Sequence, residues 1–295
     1  MKVLIIGSSG QVGNALLRAV PPRVEVQAPG RQQLDLRDCV AIERTVKSFR
    51  PELIINAGAY TQVDKAETEP ELALAINAVG PRQLAETAHA IPNCRLLHVS
   101  TDYVFDGQAK APYQPADATN PLNVYGQTKL RGEQAVLEVL SDRAVVLRTA
   151  WIYAAEGRNF LLTMLRLMRE RGAVRVVNDQ RGTPTEARSI ARALWQLAAL
   201  PRIGGILHWT DEGVVSWYEF ACAIAEDARA AGLLSSDAQV TPISSAEYPT
   251  PARRPAMSIL DLRDSIVSMK LQPTRWRDSL RATLAALRAT GAYST

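Results

Sequence analysis

Three cysteines in 295 residues are too few, too far apart and odd in number for a disulfide framework or a cysteine metal site. Cys39, Cys94 and Cys222 read as structural thiols of a reducing compartment. Histidine is equally scarce: His89, His98 and His208 stand apart, with no H-E-x-x-H pair to hold a catalytic zinc. A G-x-S-x-G elbow and a P-loop lysine are also missing, which removes two large classes of hydrolase. No apolar run approaches the ~20 residues of a membrane span, and Met1 leads into a short strand with no basic-then-apolar leader. The expectation is a cytoplasmic protein. Net charge is only +4, with a pI near 9.0, and Lys and Arg are scattered along helices without interleaved aromatics. Neither nucleic acid nor membrane is therefore an expected partner, and anionic small molecules are.

What is present is core material, since 47% of the residues are hydrophobic. In the first 150 residues, short β-branched runs alternate with helical patterns. Lys2-Gly7, Val24-Ala28, Leu53-Ala57, Arg95-Ser100 and Ala144-Thr149 are the expected strands; Gly13-Val20, Asp38-Phe49, Glu71-Ala90 and Leu122-Leu140 are the crossover helices. That rhythm predicts an α/β fold with a doubly wound parallel sheet, the Rossmann arrangement. After Trp151 the pattern becomes mixed: helices over Asn159-Arg171, Ser189-Leu200, Ser216-Ala231 and Arg275-Thr290, strands over Val174-Asn178, Gly205-Trp209 and Ser258-Leu260. The expected division is a dinucleotide-binding domain over 1–150, also taking in 174–178 and 187–200, and a smaller, mainly substrate-binding part over 151–295.

The first strand runs directly into Gly7-Ser-Ser-Gly10-Gln11-Val12-Gly13 and then a helix, the context that a dinucleotide fingerprint requires. Gly7 permits a tight turn, Gly10 lets backbone approach a pyrophosphate, and Gly13 lets helix and strand pack closely, with the helix N-terminus facing the anion. After the second strand, where an acidic residue would bind the ribose 2′-hydroxyl of NAD, the chain offers Ala28-Pro-Gly-Arg31. Arg31 favours a 2′-phosphate and hence NADPH over NADH, although a solvated loop arginine would read the same way. Asp35-Leu36, Ala57-Gly58-Ala59-Tyr60 and Asn77 sit at strand ends or on a crossover helix, where an adenine and a ribose would lie.

Tyr125 and Lys129 are four residues apart and share one helix face, about 5–6 Å apart at Cβ. A tyrosine titrates near ~10, and a neighbouring ammonium favours its phenolate. The pair can thus pass a proton to a carbonyl oxygen as hydride arrives from a reduced nicotinamide. Upstream, at the carboxyl edge of a strand, stands Ser100-Thr101-Asp102-Tyr103; Thr101 is the hydroxyl assigned to polarise the carbonyl, with Ser100 the alternative.

The G-x-x-G-x-x-G spacing, Asn56-Ala-Gly-Ala-Tyr60, Ser100-Thr-Asp-Tyr-Val-Phe-Asp-Gly107, Pro121-x-x-x-Tyr-Gly-x-x-Lys129, Arg148-Thr-Ala-Trp151 and Val177-Asn-Asp-Gln-x-Gly-x-Pro-Thr185 occur together. In that combination, nearly the full chain resembles the dTDP-4-dehydrorhamnose reductases of the extended short-chain dehydrogenase/reductase family. The resemblance implies NADPH-dependent reduction of the C4 keto group of a dTDP-linked 6-deoxyhexulose, with Thr101, Tyr125 and Lys129 on the catalytic positions. It implies a nucleotide-sugar pocket shaped by Asp102, Tyr103 and Trp151, by the loop bearing Asn178, Gln180 and Arg181, and by Arg253 with Arg254. Arg181 stands where the family has an aromatic or apolar residue, and Gly58 replaces a usual alanine. A homodimer is implied too. Some relatives hold Mg²⁺ at a carboxylate-lined dimer interface, but Glu186 alone near that region makes no ligand set, so no metal is expected. Two other readings stay open: a reductase of another deoxysugar nucleotide, and a non-catalytic regulatory subunit of the kind one branch of the family supplies, against which the complete Thr101/Tyr125/Lys129 set argues.

Overall fold

The computed structural model describes residues 1–291. Five apolar runs of the first half form β1 (Lys2–Ile6), β2 (Glu25–Gln27), β3 (Leu53–Asn56), β4 (Arg95–Thr101) and β5 (Ala144–Thr149). Between them lie α1 (Gln11–Arg18), α2 (Cys39–Phe49), α3 (Val63–Ala66), α4 (Pro70–Leu74), α5 (Gly80–His89) and α6 (Val124–Leu140). The second half supplies β6 (Ile152–Tyr153), α7 (Phe160–Arg171), β7 (Ala173–Val177), β8 (Arg181–Gly182), β9 (Thr185–Glu186), α8 (Ala187–Ala198) and β10 (Gly205–His208). Then follow β11 (Val215–Ser216), α9 (Trp217–Ala230), β12 (Gln239–Ile243), α10 (Arg263–Met269) and α11 (Trp276–Ala289).

The main sheet has the order β10-β5-β4-β3-β1-β2, and every pairing in it is parallel. Successive strand residues face opposite sides, so Val3 and Ile5 enter one core with α1 and α8, while Leu4 and Ile6 enter the other with α2, α5 and α6. This double covering explains why the strands read as unbroken apolar runs. The chain leaves β1 for β2 on one side and returns to β3 on the other. The switch point therefore lies between the loops that follow β1 and β3, where doubly wound sheets bind ligands. A third core, built from Leu161, Leu165, Val176, Phe220, Ile224, Leu280 and Leu284, joins α7, α9 and α11 to β7.

Several boundaries move for physical reasons. The expected helix over Glu71-Ala90 is interrupted by a π-helical stretch, Ala75–Val79. Pro81 has no N–H to donate to the Asn77 carbonyl four residues back, so the helix widens there. The segment 174–178 does not join the dinucleotide-binding sheet as expected: among the described residues β7 pairs with β12 alone, which runs into Pro242. The sixth strand of the sheet is β10, from the part expected to bind substrate. Ser258-Leu260 forms no strand of its own; Leu260 makes an isolated bridge to Tyr113. The division of the chain at residue 150 thus cuts through the main sheet, and its last four residues lie outside the described ones. Among the described residues no helix is long and apolar enough to cross a membrane.

Candidate active site

The glycine loop closes β1 onto α1 by contacts that no side chain could share. A Cβ at Gly13 would stand 2.1 Å from the Gly7 carbonyl oxygen, and one at Gly7, whose φ is +80°, 2.5 Å from the Gly58 nitrogen. Gly10 is the N-cap of α1 and no side chain among the described residues caps that end, so its first N–H groups face the groove beside it. This groove, of about 440 Å³, is lined by Gly7 through Val12, Arg31, Asp35, Leu36, Ala57, Gly58 and Ala59, together with Gly157 and Arg158. An uncapped helix end, backbone brought close by glycines and an arginine at the rim fit a dinucleotide diphosphate. Arg158 carries no motif of its own, and only the folding of the loop before α7 reveals it.

Other residues expected at the cofactor have partners within the fold. Gly13 packs against the Gly7 turn instead of lining the groove. Asn77 does not line it either, because its side chain is consumed inside the fold: it accepts from the Tyr60 amide (2.8 Å) and donates to the Tyr60 carbonyl (3.1 Å) and to Thr128 Oγ1 (3.1 Å). The Tyr60 ring turns inward and its hydroxyl donates to Glu69 (2.7 Å); burial, then that carboxylate, pushes the phenol up to about 12. Asp35 is gripped by Arg37 through two bonds (3.0 and 2.7 Å) and touched by Arg31 (3.3 Å). The Arg37 hydrogen bond comes first among the causes that hold its carboxyl well below the usual range.

Tyr125 and Thr101 meet because α6 can dock closely on the turn after β4. A Cβ on Gly126 would lie 2.2 Å from the Tyr103 carbonyl oxygen, so the residue after Tyr125 has to be glycine. Asn123 caps the helix through the Gly126 amide (2.8 Å) and donates to the Arg253 carbonyl (2.8 Å), tying the start of α6 to the C-terminal segment. Thr101 Oγ1 accepts from the Tyr103 amide (3.2 Å) and donates to Asp102 (3.0 Å). Tyr103 and Tyr125 meet edge to face at 5.7 Å.

Electrostatics follow from the dryness of this corner. Burial pushes the Tyr125 phenol up to about 12, and burial pushes Asp102 up to about 6. Burial acts oppositely on Lys129 and brings its ammonium down to about 8. Its Nζ donates to the Val99 carbonyl (2.7 Å) and lies 3.3 Å from His98 Nε2.

Beside this corner opens a cavity of about 670 Å³ lined by Phe160, Trp217, Val177, Gln180, Tyr248 and Arg254, among others. Its mixture of aromatic faces, a carboxamide and a guanidinium suits a ligand with a ring at one end and anionic charge at the other. Trp151 is held at φ +46°, an outlier for a bulky residue, stacked 3.5 Å from Trp217 and close enough to Gly182 that a Cβ there would come within 2.5 Å. Of the loop residues, Gln180 lines the cavity and donates to Ser245 (2.9 Å), while Asn178 accepts from Ser216 (2.7 Å). Arg181 is half exposed and faces Glu219 at 3.5 Å, outside that lining. Arg253 is exposed and takes part through its carbonyl; the guanidinium that lines the cavity is that of Arg254, forked onto Asp64 (2.8 and 3.0 Å). Trp217, Phe160 and Arg254 complete the wall from three distant stretches of sequence, a juxtaposition no local motif announces.

The family model described as RmlD substrate binding domain matches residues 1–289. The chain belongs to the RmlD substrate binding domain family. A dTDP-4-dehydrorhamnose reductase of Aggregatibacter actinomycetemcomitans is 42% identical over 287 residues, 95% of this chain and 97% of its own. Another relative, a probable dTDP-4,6-dihydroxy-2-methyloxan-3-one 4-ketoreductase of Streptomyces antibioticus, is 40% identical over 284 residues, 95% of this chain and 94% of its own. The crystal structure of the Bacillus anthracis dTDP-4-dehydrorhamnose reductase in complex with NADP superposes with a TM-score of 0.91 at 33% identity, covering 97% of this chain and 99% of that one. Within the RmlD family fold, no group of three or more His, Cys, Asp or Glu able to hold a metal ion is found among the described residues.

Proposed function

We propose that this protein reduces the C4 keto group of dTDP-4-dehydro-6-deoxy-L-mannose with NADPH, forming dTDP-L-rhamnose for polysaccharide synthesis in the cytoplasm. The observation that carries the reading is the clustering of Thr101, Tyr125 and Lys129 where α6 docks on the end of β4, in a chain that also has a glycine-lined groove and is 42% identical to a reductase of that name. Gly7, Gly10, Gln11, Val12 and Arg31 would hold the NADPH diphosphate and 2′-phosphate, with Leu36 and Ala57 to Ala59 along the adenosine. Bound there, NADPH supplies the hydride.

Tyr125 keeps its proton until the substrate oxygen becomes an alkoxide, because burial disfavours the phenolate, and it then donates that proton. Thr101 orients the phenol and the carbonyl. Lys129, once charged, stabilises the phenolate left behind. Arg254 and Gln180 would take the diphosphate side of the substrate, and Trp151, Trp217 and Phe160 its apolar faces. Purified protein with NADPH and the 4-keto-L-sugar nucleotide should lose absorbance at the nicotinamide band; no loss would refute the assignment.

The Streptomyces antibioticus relative favours a second reading, in which the carbonyl belongs to another dTDP-linked deoxysugar. Comparing kcat/KM for the two keto sugars decides between them. Free thiols at Cys39, Cys94 and Cys222 support the cytoplasmic placement. The homodimer rests on the resemblance, and light scattering of the purified chain tests it.

A further inference from the structure

A hydrogen-bonded line runs behind the acid-base pair. The Gly58 amide donates to Asn56 Oδ1 (3.1 Å), and the Asn56 amide nitrogen lies 3.0 Å from His98 Nδ1. A backbone N–H can only donate, so chemistry fixes which end of the Asn56 amide faces the ring. Asn56 therefore donates to Nδ1, and a neutral His98 must carry its proton on Nε2. Complete burial holds the imidazole well below its ordinary range, which disfavours the doubly protonated ring whether or not Lys129 is charged. His98 is completely buried, and Gly132 of α6 lies beside it, an added Cβ standing in ordinary contact at 3.5 Å from Nε2.

At Lys129 Nζ, 3.3 Å beyond, the consequence is a count of hydrogens. An ammonium already donating to Val99 would set a second N–H against the His98 N–H. A neutral amine satisfies both neighbours, with one N–H to Val99 and its lone pair toward His98. We propose that His98 is a positioning residue that presents Nε2–H to Lys129, so that the lysine rests as a neutral amine turned toward Val99 until it is charged for turnover.

Other groups around the lysine are consistent with this. Glu133, one turn further on α6, favours its protonation, but Arg148 of β5 grips that carboxylate at 2.7 Å. Tyr125 precedes it by one turn of α6, and Asp102 after β4 bears on Tyr125. Asn56 of β3 and Asn77 of the π-helical stretch are uncharged. Burial brings the lysine down to about 8, and the Nε2–H of His98, which can only donate, acts further in the same direction. Because Gly58 also lines the dinucleotide groove, the line gives that groove a route to the protonation state of Lys129.

The proposal rests on the reductase reading for its effect on turnover, and its first test needs no activity. Long-range ¹H–¹⁵N spectra of histidine-labelled protein show three rings, which a His98→Gln sample assigns. His98 should be the neutral Nε2–H tautomer from pH 6 to 9; an Nδ1–H tautomer or an imidazolium at pH 7.5 would overturn the proposal. Asn56→Asp offers an acceptor where Asn56 donates, so the ring should switch to Nδ1–H and turn its Nε2 lone pair toward Lys129. The alkaline limb of the NADPH-oxidation profile should then move up by about one pH unit, a tenfold change in the proton concentration at half-activity. A switched tautomer with an unmoved limb would refute the link to Lys129. A native chain that oxidises no NADPH sinks the functional reading and leaves the tautomer measurement standing.

Discussion

Burial moves Tyr125 and Lys129 toward their neutral forms by opposite shifts, up for the phenol and down for the ammonium. A neutral phenol is the right starting state for giving a proton away. Tyr125→Phe removes the proton and little volume, so turnover should fall by roughly 10²- to 10⁴-fold while NADPH affinity, followed by fluorescence, stays within about twofold. Asp102 next to it carries a stability signature. Burial is the main reason its carboxyl is raised from 3.8 to about 6, so between those values the folded chain binds more protons than the unfolded one. Stability therefore falls as pH rises through that window, and the deficit, at most about 3 kcal/mol, persists at neutrality. Asp102→Asn should raise Tm by several degrees at pH 7.5 and leave it nearly unchanged below pH 4; an equal shift at both values would count against a buried charge.

Among elements, α6 depends most on small residues and internal ion pairing. A Cβ at Gly132 would lie 2.1 Å from the Asn77 carbonyl oxygen, the acceptor that Pro81 leaves without its helical partner. Gly132→Ala must part α6 from the π-helical stretch, and a loss of several kcal/mol in denaturant unfolding is expected. One residue on, Glu133 takes two bonds from Arg148 Nε and a third from its NH2, with both side chains about 2% exposed or less. Removing one partner strands a charge, so Arg148→Met should cost about 3–5 kcal/mol. These contacts mark the limit of what the sequence makes legible. Strands β1 to β5, the glycine loop and the i, i+4 pair were readable because each is local in period or spacing. The π-helical stretch follows from one proline, but only once the Asn77 carbonyl is seen facing Gly132. Asn77 and Tyr60 looked like cofactor residues because they stand in motif order, whereas their hydrogen bonds close on each other. His98 looked like a plain core residue since nothing near it in sequence tells that Asn56 and Lys129 flank its ring.

At the scale of the whole molecule, the groove and the cavity are lined by different parts of the chain, and the segment around Arg254 is tied to the N-terminal half beside the cavity. Asp64 of α3 holds Arg254 through both terminal nitrogens and accepts from the Ala252 amide, so a guanidinium more than 180 residues away in sequence is fixed at the cavity wall. The neighbouring Arg253 is exposed, and its carbonyl is what Asn123 engages. This separation predicts unequal effects from two adjacent arginines. If Arg254 takes the diphosphate of the sugar nucleotide, its loss removes a charge-assisted contact worth about 1.5–3 kcal/mol. Arg254→Met should then raise KM for the sugar nucleotide by roughly 10- to 100-fold, with the affinity for NADPH unchanged because the dinucleotide groove lies elsewhere. Arg253→Met keeps the backbone carbonyl and should move KM by less than about threefold. Steady-state kinetics on the two variants decides it: a large KM effect at Arg253 with none at Arg254 would place the anion on the outer side of the segment, and the cavity would have to be assigned to some other part of the substrate.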